Sequence, residues 1–294
     1  MSQPELLRHL RLPTGVQGDH LSAASALVRV GRSLFVVADD ELHLGRFSLD
    51  DPHGGSLLRL FDGELPVEKK ARKAAKPDLE VLALLPAMPE FVTGALLALG
   101  SGSTEGRQRG VLLGLEEGGQ PRLIDLAPLY RPLHAHFTEL NIEGGFLLGE
   151  EFLLLQRGNQ GQATNASVRY DWGELRGWLL GERVAPAPQS IQPLELGELD
   201  GVALGFTDGA ALADGRWLFS AVAENTADSY NDGACLGTLI GLVERDGEVR
   251  RVAQLDGEWK VEGIALAEDG SLLLVTDADD PQIAASLLRL PLAL

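Results

Sequence analysis

The chain has 294 residues and a formal net charge of −18, from 43 Asp and Glu against 25 Lys and Arg. That balance excludes the basic face a duplex nucleic acid requires and disfavours an anionic membrane surface. The single cysteine, Cys235, rules out an intrachain disulfide and a metal site built from thiolates.

In chain order, the opening MSQPELLRHLRLPTG holds no apolar stretch of signal-peptide length. The most apolar window, Val81 to Leu99, is broken by Pro86, Pro89 and Glu90, so no transmembrane helix is expected and a cytoplasmic protein is the default. Hydrophobic residues make up 45% of the chain, while 35 glycines and 15 prolines punctuate short apolar runs, a pattern of strands and turns. Glu5 to Leu12 reads as a strand without a hairpin partner of its own.

Five similar segments follow: ASALVRVGRSLFVVADD from Ala24, LEVLALLP with an insertion and then ALLALGSGS from Leu79, NIEGGFLLGEEFLLLQRGN from Asn141, TDGAALADGRWLFSAVAEN from Thr207, and VEGIALAEDGSLLLVTDADD from Val261. Each is an apolar strand, a polar turn and a second apolar strand. Ala213-Asp214-Gly215 and Glu268-Asp269-Gly270 carry the Asp-Gly chemistry of tight hairpins. Third strands are expected at Leu42 to Leu49, Val111 to Leu115, Ser167 to Asp171, Leu236 to Glu244 and Ser286 to Leu292. Fourth strands are expected at Ser56 to Phe61, Arg122 to Leu126, Ile191 to Leu196 and Val249 to Leu255.

Four antiparallel strands per copy make a propeller blade. The last copy has only three, and Glu5 to Leu12 supplies the fourth, closing the ring and covering the open edges. The expected fold class is therefore all-β: one five-bladed β-propeller domain over 1–294, with blades near 22–65, 78–128, 141–200, 205–256, and 259–294 plus 5–12. A six-bladed propeller, with a degenerate copy inside Glu174 to Leu204, is the alternative; a β-sandwich with long loops also remains.

Alignment of the copies puts Ser25, Glu80, Glu143, Asp208 and Glu262 in one column. First strands line a propeller's channel, so these residues are expected to converge on the axis. Carboxylates packed that closely repel, and protonation, water or a cation must relieve them. A hard dication suits the oxygen donors, which makes axial calcium the expected cofactor, whereas zinc lacks clustered His or Cys. The blander reading is that Glu-Gly and Asp-Gly pairs only start strands and cap turns.

Ser25-Ala26-Leu27 before GRSLFVVADD, Asn141-Ile142-Glu143-Gly144 and Lys260-Val261-Glu262-Gly263-Ile264 resemble the blade starts of calcium-activated nucleotidases (apyrases), as do GRWLFSAVAEN and Gly233-Ala234-Cys235-Leu236. The chain is also similar to uncharacterised bacterial propellers of the phytase-like and SdiA-regulated kind. The resemblance implies a five-bladed propeller in which inner strands give oxygen ligands to an axial calcium. Apyrase activity is not carried over, since the expected secretory signal is missing.

The loops after the second strands should share one face of the ring, where ligand contacts gather. They supply the candidates Arg157, Asn159, Glu224, Asp277 and Asp279. Arg157, together with Arg107 and Arg109, could clamp a phosphate or carboxylate, or equally form structural ion pairs. His134 and His136 are spaced to share one face of an extended segment, with His136 a candidate at the channel entrance and a structural or exposed role the blander alternative. The basic run VEKKARKAAKPDLE from Val67 reads first as a solvated connection, and otherwise as an arch over the mouth that attracts an anion. The function expected is binding of a small anionic or sugar-like molecule beside the cation, with or without phosphate or ester hydrolysis. Alternatives are a non-catalytic protein-interaction scaffold and a lactonase-like sugar-acid enzyme, the latter tied to six blades.

Overall fold

A computed structural model describes residues 2–13, 19–51, 54–158, 164–225, 234–257 and 259–292. The first blade is β2 (Ala24–Val30), β3 (Ser33–Ala38), β4 (His43–Ser48) and β5 (Gly55–Arg59). The second is β6 (Leu79–Leu85), β7 (Ala95–Gly100), β8 (Arg109–Gly114) and β9 (Arg122–Asp125). The third is β10 (Ile142–Leu148), β11 (Glu151–Gln156), β12 (Ala166–Asp171) and β13 (Ser190–Pro193). The fourth blade, β15 (Val202–Ala211), β16 (Trp217–Asn225), β17 (Ala234–Val243) and β18 (Val249–Gln254), adds the two-residue β14 (Glu198–Leu199) beside β15.

The fifth blade runs in the order β1 (Glu5–His9), β21 (Ser286–Leu290), β20 (Leu272–Thr276), β19 (Val261–Leu266), so the N-terminal strand completes the C-terminal sheet as expected. Arg8 on β1 donates to the carbonyl oxygens of Ser48 and Gly54 in the first blade, at 3.3 and 3.0 Å. The first strands touch around a closed circuit, β2 to β6 to β10 to β15 to β19 and back to β2. Five blades therefore make the ring, and the six-bladed alternative falls away, because 174–204 forms a helix and short outer strands in place of a further sheet.

Apolar packing follows the same five-fold order. One buried cluster fills each gap between blades, for example Leu44, Leu79, Leu82 and Val111 between the first and second, and Phe146, Phe206, Trp217 and Phe219 between the third and fourth. The cores arise because alternate residues of every middle strand face opposite sides of a sheet that is buried on both. Among the described residues no helix is long and apolar enough to cross a membrane.

Among the described residues, three short α-helices depart from the strand reading. Helix α1 (Lys69–Ala75) is capped by Glu68, whose carboxylate accepts from the amides of Lys70 and Ala71. It stops at Lys76, held extended because Pro77 follows. Helix α2 (Ala127–His136) and helix α3 (Trp172–Leu179) pack into the gap between the second and third blades. His134 and His136 thus lie on a helix, where a spacing of two puts side chains on different faces, and not on the extended segment their spacing suggests.

Candidate functional site

Each first strand carries one register shift at the same level of its hairpin: Ala24/Ala26, Leu79/Val81, Ile142/Gly144, Phe206/Asp208 and Val261/Gly263. Such a bulge leaves one residue out of the ladder and re-aims its side chain. The residues left out are Ser25, Glu80, Glu143, Thr207 and Glu262. In the fourth blade the column therefore holds Thr207, one residue before the expected Asp208.

Thr207 is fully buried, its Oγ1 lying 2.8 Å from both the Val261 carbonyl and the Ser220 hydroxyl. Asp208 occupies the place taken by Gly144 and Gly263 in neighbouring blades. A side chain at Gly263 would meet Leu27 N at 2.8 Å, which explains the Glu-Gly start as a demand of blade-to-blade approach. Asp208 turns its carboxylate to the amides of Gly209 and Ile264, at 2.7 and 2.8 Å, tying β15 to β19. Burial holds its pKa well above the ordinary value despite those two donors.

Ser25, Glu80, Glu143 and Glu262 line a single cavity of about 540 Å³ at the loop-bearing end of the channel. Asp39, Arg157, Glu224, Asp277 and Asp279, from the loops and strand ends after the second strands, line it as well. Eleven carboxylates face seven Lys and Arg side chains there, so an excess of acid survives the resident cations.

The cations are placed in two groups. In the third to fifth blades, Arg157 pairs with Glu143 at 3.3 Å and Glu224 at 2.8 Å. Lys260 reaches Asp279 at 2.7 Å, Glu224 at 3.4 Å, Glu262 at 3.5 Å and Asp277 at 3.7 Å. Gly205 makes room for this chain, since a Cβ there would lie 2.9 Å from Arg157 Cγ. In the first and second blades, Lys76 pairs with Asp39 and, at 2.9 Å, with Asp78, whose other oxygen takes Arg107 at 2.8 Å and the Ser101 hydroxyl at 2.5 Å.

Burial raises the pKa of Glu80 well above the ordinary value, with Glu143, Asp78 and Asp39 adding to it and Lys76 opposing. Burial likewise pushes Glu262 up to about 8, against the pull of Lys260 and Arg157. For Lys76 burial works downward, but Asp39, Asp78 and Glu80 outweigh it and hold the ammonium charged. Asp78 and Asp279 both sit at positive φ, 57° and 54°, a left-handed conformation that non-glycine residues keep only where their surroundings enforce it.

The other candidates lie elsewhere. Arg109 donates to the Gly106 carbonyl at 3.0 Å and stacks 5.3 Å from the Phe61 ring, away from the cavity lining. His136 is exposed and edge-on to Phe137, and Asn159 lies outside the described residues. The basic run from Val67 is no mere solvated connection: Lys69, Arg72, Lys73 and Lys76 all line the cavity. Sequence reasoning missed Asp78 and Lys260 as site residues. Both stand two positions before a column residue, and the recurrence of a charged residue at that offset in two blades is the signal that could have found them.

The fold has relatives among solved structures. A hypothetical protein from Leishmania major shares 10% identity over 97% of this chain and 90% of its own, with a TM-score of 0.51. A luciferin-regenerating enzyme shares 8% over 99% and 95%, with a TM-score of 0.52. A Bacteroides thetaiotaomicron protein provisionally assigned as a phosphatase shares 8% over 100% and 79%, with a TM-score of 0.54. At such identities the likeness carries the propeller fold alone. No curated protein sequence matches the chain. A family model does match residues 72–281, and the chain accordingly belongs to that family, the family of unknown function DUF6910.

Proposed function

We propose that the mouth cavity binds a divalent cation, calcium being the ion its oxygen donors suit, and beside it a small anionic or sugar-like ligand. The observation that carries this reading is Glu80. It faces the cavity and, among the described residues, accepts no hydrogen bond and forms no ion pair, while Asp39 and Asp78 bring their carboxylate oxygens within 4.8 Å of its own. Donors around one calcium, each 2.3 to 2.6 Å from it, stand at most about 5 Å apart, so this spacing fits. The donor set differs from the expected column, because Glu143 and Glu262 face Arg157 and Lys260, and only Glu80 is common to both.

Lys69 on α1 lines the same cavity and supplies positive charge for an anionic group of the ligand, beside Arg72, which is held by Asp40 and Glu41. The likeness of the blade starts to calcium-activated nucleotidases supports the same ion. A bound cation with an open position would supply Lewis-acid activation of water, the requirement for phosphate or ester hydrolysis.

Calcium titration followed by calorimetry, on the purified chain and on Glu80→Gln, tests the reading. Saturable binding of one ion, weakened at least about tenfold in the variant, is the expected result. No binding to the wild-type chain would leave the non-catalytic interaction scaffold as the better account.

A further inference from the structure

We propose that Lys76 is the resident counter-ion of the Asp39, Asp78 and Glu80 cluster, and that a divalent cation enters by displacing its ammonium and loosening helix α1. This inference rests on the cation site proposed above and concerns how that site is regulated.

Charge and position both lead to it. Lys76 Nζ bonds Asp39 and stands 2.9 Å from Asp78, two of the three carboxylates whose oxygens lie within 4.8 Å of one another. With all three carboxylates ionised, Lys76 and Arg107 leave one negative charge at this wall of the cavity. A divalent ion in place of the ammonium leaves none, whereas ion and ammonium together would leave an excess positive charge and repel each other at contact distance. Displacement is therefore the favoured exchange.

The lysine is also the end of a movable element. It is the C-cap of α1, a helix with no buried residue of its own. Ionic and polar contacts hold that helix down: Arg72 to Asp40 and Glu41 at 3.2 and 3.3 Å, Arg107 to the Lys73 carbonyl at 3.2 Å, and Lys76 itself. Without an apolar anchor, losing the Lys76 contacts weakens the hold on the C-terminal end of α1, and α1 lines the cavity. A cation that draws Lys76 out would thereby widen the entrance and free basic side chains for the ligand.

Two measurements with calcium ion alone test this. Hydrogen exchange across 68–76 in the wild-type chain is expected to quicken when calcium is added. In Lys76→Met, calorimetric calcium affinity is expected to rise about tenfold or more, and Arg72→Gln, which loosens α1 without touching the cluster, should raise it by a smaller factor. Binding with equal affinity in wild type and Lys76→Met, or unchanged exchange across 68–76 on saturation, overturns the displacement while leaving the cation site standing. No binding to either chain overturns the site itself. The exchange measurement needs no substitution, so a poorly folded variant does not obscure the answer.

Discussion

Arg157 and Glu224 meet across the boundary between the third and fourth blades, Nη2 to Oε2 at 2.8 Å, while the other arm of the same guanidinium reaches Glu143 at 3.3 Å. One planar fork thus serves two carboxylates on two blades. Burial alone would disfavour its charge, but Glu143, Glu262, Glu224 and Glu80 hold its pKa above the ordinary arginine value.

Removing that fork strands two acids with little water to solvate them. Arg157→Met is expected to destabilise the fold by about 3 kcal/mol or more, the usual cost of breaking one side of a buried pair. Arg157→Lys keeps the charge but not the fork, and should fall between. Urea unfolding of the three proteins measures this, and a variant as stable as wild type would show that the pairs contribute no net stability.

Glu262 sets a pH dependence whose sign follows from its raised pKa. Its ordinary value is 4.5 and its folded value about 8. Between these the unfolded chain has released a proton that the folded chain retains, so this contribution to stability is full below about 4.5 and is lost as pH rises through about 8. Glu262→Gln lacks that loss. The unfolding midpoints of variant and wild type should therefore diverge in the variant's favour from about pH 5 to about pH 8.5, and parallel curves would contradict the assignment.

Asp208 and Glu80 should respond in opposite ways, although alignment alone places them in one column. Asp208→Ala leaves the buried Ile264 amide without its acceptor, which costs about 1 to 3 kcal/mol, yet should leave calcium affinity unchanged. Glu80→Gln removes a buried acid that, among the described residues, has no ion pair of its own and stands close to Glu143, Asp78 and Asp39, so the calcium-free protein should melt higher while losing affinity. Thermal scans with and without calcium separate the two, and a loss of affinity in Asp208→Ala would restore that residue to the site.

Ring closure depends on β1. Deleting residues 2–12 would expose the β21 edge and remove the fully buried Leu10 along with the Arg8 contacts to the first blade. The truncated chain is expected to unfold more readily and to self-associate through the bare edge. Sedimentation velocity at two concentrations checks this; a stable monomer would mean that the strand is dispensable.

The sequence by itself determined the blades. Alternating and continuous apolar runs, Asp-Gly turns such as Asp269-Gly270 and a lone N-terminal strand are local signals, and they yielded the four main strands of all five blades and the β1 closure, though not the short β14, because strand pattern and turn chemistry are set by near neighbours. Helices α1 to α3 were not legible in this way, being only 7 to 10 residues long and placed between strands.

Only the tertiary structure decided which side chains meet at the axis. Thr207 and Asp208 are adjacent and both polar, and a one-residue shift in a strand reverses the face, so the bulge position, not composition, selects Thr207. The counter-ions were equally hidden: Lys76, Arg107, Arg157 and Lys260 lie in different blades and connections, and only closure of the ring brings their long side chains to the carboxylates they neutralise.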